Sequence, residues 1–167
     1  ALDAAYFISR HLYTEAEGRS FYAYIPGETA FVHNASLWGA AWCAFAGARL
    51  DDAALTEQAL RVARRSADEQ LTDGSWVYGN REHHRFIDGF HTGYNLEALC
   101  MLRDALRTAE FDACISRGYR YYVETFFSSD GTVRYYNSSM YPIDMHSFAQ
   151  AIFTLLKVGG MPSDIAL

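Results

Sequence analysis

The chain alternates between two kinds of segment. Residues 35–48 carry no charged side chain, and Leu37, Trp38, Gly39, Ala40, Ala41, Trp42, Cys43, Ala44 and Phe45 follow one another without a break. A helix that is apolar all round is buried all round. Residues 51–70 hold eight charges, with Leu55, Ala59, Val62 and Ala63 forming a stripe at helical spacing. That pattern predicts a surface helix with one inward face, started by Asp51 or Asp52 as N-cap. The two kinds then recur. Residues 89–102 contain one charge, Glu97; residues 109–125 are charged again; residues 145–156 have none. With 1–12 as the first outer helix, the order reads outer, inner, outer, inner, outer, inner.

The alternation is a repeat of about 57 residues. Gly18-Arg19-Ser20-Phe21-Tyr22 leads to Phe31-Val32-His33-Asn34. Asp73-Gly74-Ser75-Trp76-Val77-Tyr78 leads to Phe86-Ile87-Asp88-Gly89-Phe90-His91. Asp130-Gly131-Thr132-Val133-Arg134-Tyr135-Tyr136 leads to Tyr141-Pro142-Ile143-Asp144-Met145-His146. Helical filling at that period predicts an all-α fold of three stacked hairpins. The expected architecture is an α/α toroid, with inner helices lining a barrel and outer helices ringing it. A closed toroid takes about six hairpins, so 1–167 reads as one repeat domain forming half a barrel. Ala1 stands where a Met would be, and the expectation is a piece of a longer protein. An open solenoid arc is the alternative.

Composition narrows the function. Aromatic residues make up 16% and Tyr occurs 12 times. That is more than a core needs, and it suits stacking on sugar rings. The net charge of -6 argues against nucleic acid, which wants clustered Lys and Arg. Cys43, Cys100 and Cys114 lack CxxC spacing and read as reduced, buried thiols. With neither a signal peptide nor an apolar run of about 18 residues, a cytoplasmic protein without a membrane span is expected.

The outer-to-inner loops, roughly 14–33, 71–88 and 128–143, are long, and they deliver the chain to inner-helix N-termini, where anions are favoured. Asp88, His91, Asp144 and His146 stand there, a combination suited to general acid–base catalysis. Capping alone is the alternative for the two Asp residues. His33 with Asn34 forms the third member, without an Asp. Glu97, the one carboxylate inside an inner helix, is a further acid or base candidate, or half of a structural salt bridge. Tyr94 and Asn95 follow within a turn of His91. Trp76, Tyr78, Tyr135, Tyr136 and Tyr141 are candidates for sugar stacking, or plugs between hairpins. Arg81 and Arg85, with His83 and His84, form a basic group suited to an anionic sugar. His83, His84, Asp88 and His91 include metal-ligand types but no zinc spacing such as HExxH, and no P-loop, dinucleotide fingerprint or GxSxG is present. Neither metal nor cofactor is expected.

Three strings carry a family resemblance: Trp76-Val77-Tyr78-Gly79, Phe86-Ile87-Asp88-Gly89-Phe90-His91-Thr92-Gly93-Tyr94 with Leu96-Glu97-Ala98-Leu99, and Tyr141-Pro142-Ile143-Asp144-Met145-His146-Ser147 with Ala149-Gln150-Ala151. Over residues 70–158 the chain resembles VpsJ-like bacterial polysaccharide-biosynthesis proteins. The resemblance implies a toroid related in shape to six-hairpin glycosidases, epimerases and polysaccharide lyases, with this chain as the C-terminal half of a protein about twice its length, but it supplies no reaction. The Asp-Gly-Ser-Trp string is also similar to repeat loops of terpenoid cyclase toroids, without their DxDD-like acid cluster. Two functions follow as expectations. One is a carbohydrate-handling enzyme of exopolysaccharide production. The other is a non-catalytic scaffold that binds a glycan or a partner of that machinery. Exposed side walls of uncharged inner helices further predict self-association or a missing half.

Overall fold

The computed structural model describes residues 2–159. Its helices are α1 (Leu2–Phe7, continued by a π-helical stretch Ile8–Leu12), α2 (His33–Leu50), α3 (Ala53–Asp68), α4 (Gly89–Leu106), α5 (Asp112–Phe126) and α6 (Met145–Thr154, continued by a π-helical stretch Leu155–Gly159). The three charge-poor helices pack side by side, α2 on α4 and α4 on α6. The charged helices back them, with α1 and α3 on α2 and α5 on α4. The charge-poor and charged segments of the sequence thus form two layers of helices.

Each kind of helix is built as its sequence requires. In α2 eleven residues are buried, from His33 to Gly47, because neighbours cover most of its surface. In α3 the buried residues are the expected stripe, Leu55, Ala59, Val62 and Ala63, joined by Ser66. Asp52 is the N-cap: its Oδ1 accepts from Leu55 N at 3.0 Å, and its Oδ2 accepts from the Tyr6 phenol of α1 at 3.0 Å. α3 meets the turn before α5 through charge, where the Arg64 guanidinium grips both oxygens of Glu110. The main core gathers Leu37, Val62, Trp76, Leu96, Leu99, Leu102, Phe111, Tyr122 and Phe126 between the layers.

The first loop differs from the expected irregular segment. Tyr13–Ala16 (β1) and Arg19–Tyr22 (β2) form an antiparallel hairpin, pairing Tyr13 with Tyr22 and Ala16 with Arg19. Glu17 and Gly18 both have positive φ, 53° and 72°. That is the twist a two-residue hairpin turn requires. The short Tyr-Thr and Ser-Phe-Tyr runs around Glu-Gly carried this signal. The turn glycine then recurs, with Gly74 at φ 97° and Gly131 at φ 81°.

Loops two and three interlock with the helix before them. His33 N donates to Tyr78 O at 3.1 Å and Asn80 N to Phe31 O at 3.1 Å. One repeat later, Gly89 N donates to Tyr135 O at 2.9 Å and Asn137 N to Ile87 O at 3.1 Å. Each rim loop thus clamps the first residues of the preceding inner helix. Trp76 anchors loop two from inside. Its indole N–H donates to Ser66 O at 2.9 Å, and its ring lies against Gly118, where a Cβ would sit 2.8 Å away.

Candidate functional site

The N-caps of the inner helices are Val32, Asp88 and Asp144, spaced 56 residues apart, from 32 to 88 and from 88 to 144. This register corrects the equivalence of the three histidines. His33 is the first residue of its helix, His91 the third and His146 the second. Successive helical residues point about 100° apart, so the three rings face different surroundings.

His33 faces the outer layer. It is 1% exposed, its Nδ1 lies 3.2 Å from Ser66 Oγ, and its Nε2 lies 3.9 Å from Glu69 Oε2. Burial first, then the Arg19 charge, push its pKa down to about 3. The Glu69 carboxylate does not reverse this, because Arg19 and Arg65 already hold it at 3.1 and 2.8 Å. His33 is a neutral core residue rather than a substrate contact, which corrects its assignment.

Asp88 does two jobs with its two oxygens. Oδ1 accepts from His91 N at 2.8 Å, capping α4, and Oδ2 lies 2.7 Å from His91 Nδ1. The carboxylate is buried and the imidazole is 18% exposed. A buried acceptor on Nδ1 fixes the ring and leaves Nε2 for acid–base work. Tyr78 packs on the same ring at 4.4 Å and stacks on Phe86 at 5.0 Å, so loop two walls the dyad.

His146 pairs differently from the expectation. Asp144 caps α6 through Ser147, accepting from its N at 3.2 Å and its hydroxyl at 3.4 Å. The His146 Nε2 instead lies 2.8 Å from the Tyr94 hydroxyl of α4. Phe90 bridges the two pairs, its ring 4.1 Å from His91 and 4.8 Å from His146. The rings of His91 and Tyr94 are 6.3 Å apart. Burial, followed by Glu97 and Tyr24, raises the Tyr94 pKa, so its phenol keeps its proton at neutral pH. Tyr78 is raised likewise, by burial and then by its hydrogen bond with Tyr24.

Tyr24 is a member that sequence reading missed. Its phenol oxygen accepts from Asn34 Nδ2, it hydrogen-bonds Tyr78, and its side chain is half exposed. Its repeat position could have marked it, because Tyr24 stands where Asn80 and Asn137 clamp the helix before them.

Other candidates fall outside this group. Glu97 is 5% exposed and committed to the α4–α6 contact, where Gln150 Nε2 and the Thr154 hydroxyl donate to Oε1 and Lys157 sits 3.7 Å from Oε2. It joins helices rather than facing the dyad. Trp76, 2% exposed, has no face to offer a sugar. Asn95 is 3% exposed and sits within the α4 packing. Tyr135 packs on Phe90 and Tyr136 at 5.4 and 4.6 Å, and Tyr136 packs on Phe86. Tyr141 is 69% exposed, so its face is open. Arg81 is tied to Glu28 of loop one at 3.3 Å, while Arg85 is exposed. The first-turn N–H groups of His91 and Ser147 are taken by Asp88 and Asp144, so a substrate anion does not find them free. Among the described residues, no three His, Cys, Asp or Glu side chains converge as a metal site, and no helix is long and apolar enough to cross a membrane.

Comparison with known proteins finds no matching family, and no curated protein matches the chain.

Proposed function

We propose that the chain is a carbohydrate-handling α/α-toroid protein of exopolysaccharide biosynthesis, three hairpins of a six-hairpin barrel, working in the cytoplasm on a glycan laid across the rim. The carrying observation is the pair of coupled groups around Phe90: Asp88 with His91, and Tyr94 with His146. Their chemistry suits proton transfer beside a sugar carboxylate better than two-carboxylate hydrolysis. Hydrolysis needs two working carboxyl groups about 5 or about 6.5–9.5 Å apart. Here Asp144 is a cap and Glu97 is bound by α6, whereas His91 and Tyr94 stand as base and acid on one rim.

In a lyase version, His91 Nε2 takes the proton alpha to the uronate carboxylate. A carbon–carbon double bond forms as the glycosidic C–O bond breaks, and Tyr94 gives its proton to the leaving oxygen. Solvent then takes the proton from His91 Nε2 and returns one to Tyr94, relayed through His146. In an epimerase version the same acid reprotonates the carbon from the opposite face. Arg85 and the exposed ring of Tyr141 serve as substrate contacts.

The scaffold reading keeps one observation in its favour: Asp144 only caps. Replacing His91 and His146 together by Ala separates the two. The enzyme reading predicts loss of glycan product at normal protein level and fold. Unchanged output would leave the scaffold.

A further inference from the structure

The second residue of each inner helix is Asn34, Phe90 and His146 in turn, two places after the caps Val32, Asp88 and Asp144. The first and last of these each hold a tyrosine. His146 Nε2 lies 2.8 Å from the Tyr94 hydroxyl, and Asn34 Nδ2 donates to the Tyr24 phenol oxygen at 2.5 Å. The Tyr94 pair supplies the proposed acid. The Tyr24 pair has no part in the proposed proton transfer.

Packing alone does not explain Asn34. It is 6% exposed, and its Oδ1 has no hydrogen-bond partner among the described residues. A buried carbonyl left unpaired costs stability, and the next repeat fills the same position with the apolar Phe90. What the amide does is hold Tyr24. The Tyr24 oxygen receives a second hydrogen bond from Tyr78, whose pKa that bond raises, which marks Tyr78 as the donor. With both lone pairs taken, the Tyr24 hydroxyl proton is directed away from Asn34 and Tyr78. The Tyr24 side chain is 53% exposed, so this proton reaches the open rim. It does so beside the acid–base groups: Tyr78 packs on His91 at 4.4 Å, and the Tyr24 phenol acts electrostatically on Tyr94.

We infer that the Tyr24 hydroxyl, held by Asn34 and Tyr78, is a substrate-binding donor that takes the carboxylate of an acidic sugar. This rests on the proposed proton transfer beside a sugar carboxylate and names what holds that carboxylate. A sugar hydroxyl both donates and accepts. A position that can only donate favours a group that only accepts, and on a uronate that group is the carboxylate. A hydrogen bond to a charged acceptor is also stronger than one to a neutral acceptor. As His91 takes the proton alpha to the carboxylate, negative charge moves onto the carboxylate oxygens. The same donor then stabilises the transition state more than the bound substrate.

The test is calorimetric binding of uronic-acid trisaccharides and of their carboxyl-reduced, neutral counterparts at neutral pH. The proteins are the full chain, Tyr24→Phe, Asn34→Ala and the double variant, each checked for fold by circular dichroism. Expected is a wild-type preference for the acidic form that falls about tenfold or more in Tyr24→Phe, the worth of one hydrogen bond to a charged group, with affinity for the neutral form unchanged. Asn34→Ala should lose part of the preference, and the double variant no more than Tyr24→Phe. A preference that survives Tyr24→Phe overturns the inference and leaves the carbohydrate reading standing. So does equal binding of the two forms by wild type, or an equal loss toward both in Tyr24→Phe, which would make the residue structural. An unchanged Asn34→Ala, or additive losses in the double variant, overturns the holding role of Asn34. If wild type binds neither form, the proposed function falls together with the inference.

Discussion

The starts of α2 and α4 are built on one frame and use histidine in opposite ways. Both are clamped by the following rim loop through the same pair of backbone hydrogen bonds. In α2 the histidine is the first helical residue and turns into the outer layer, where burial strips its charge. In α4 it is the third residue and turns onto the rim, where a buried aspartate holds it partly in solvent. Two positions along a helix separate a core residue from a candidate acid–base group. The cap differs as well. Val32 offers no side-chain acceptor, so α2 leans on the loop alone, whereas Asp88 caps α4 and orients its histidine together.

The largest expected stability effect breaks the frame that the comparison assumes. Trp76→Ala empties a buried site between α3 and α5 and is expected to cost about 3–5 kcal/mol in urea unfolding. Tyr141→Ala, at an exposed position of the third loop, is expected to stay within about 0.5 kcal/mol.

A second effect isolates the α2 histidine. The folded pKa of His33, about 3, lies below its ordinary value of 6.5. The unfolded chain therefore binds the extra proton between those values. The stability from burying it neutral is full above pH 6.5 and falls as pH drops toward 3. Near pH 4.5 the loss from this residue is about 2–3 kcal/mol. His33→Gln removes the titration and keeps a donor for Ser66. Its unfolding free energy should fall less between pH 7 and pH 4.5 than that of wild type, by about that amount. An unchanged slope would place the acid sensitivity elsewhere.

A third, smaller effect sharpens the contrast between caps. Asp88→Ala and Asp144→Ala should each cost about 1 kcal/mol, and the Asn variants should recover most of it, because Asn caps as well as Asp. Turnover should separate them: Asp144→Asn stays near wild type, whereas Asp88→Asn loses the charge behind His91 and falls. Equal turnover would reduce Asp88 to a cap.

Much of this frame was legible in the sequence. Charge-poor and charged segments marked the buried and the surface helices, since a helix covered on most sides keeps few charges. The Asp caps were visible for the same local reason. The histidine register was not, because matching His to His gave spacings of 58 and 55, whereas the caps give 56 twice. A side chain's direction depends on its place relative to the cap, not on its recurrence. Tyr94 with His146, and Glu97 with Gln150 and Thr154, join residues more than 50 positions apart. Only packing between α4 and α6 decides those partners. Trp76 looked like a sugar platform because aromatic loops serve both purposes, and burial alone tells a plug from a platform.

The central claim is that the α4 rim is a working site and the α2 rim is structure. It is tested most directly by turnover of uronic-acid oligosaccharides by His91→Gln and by His33→Gln, assayed at neutral pH with both variants shown folded. The account predicts that His91→Gln loses about 10²–10⁴ in rate, the usual worth of a general base, and that His33→Gln stays near wild type. Full turnover by His91→Gln, or equal losses in both, would contradict it.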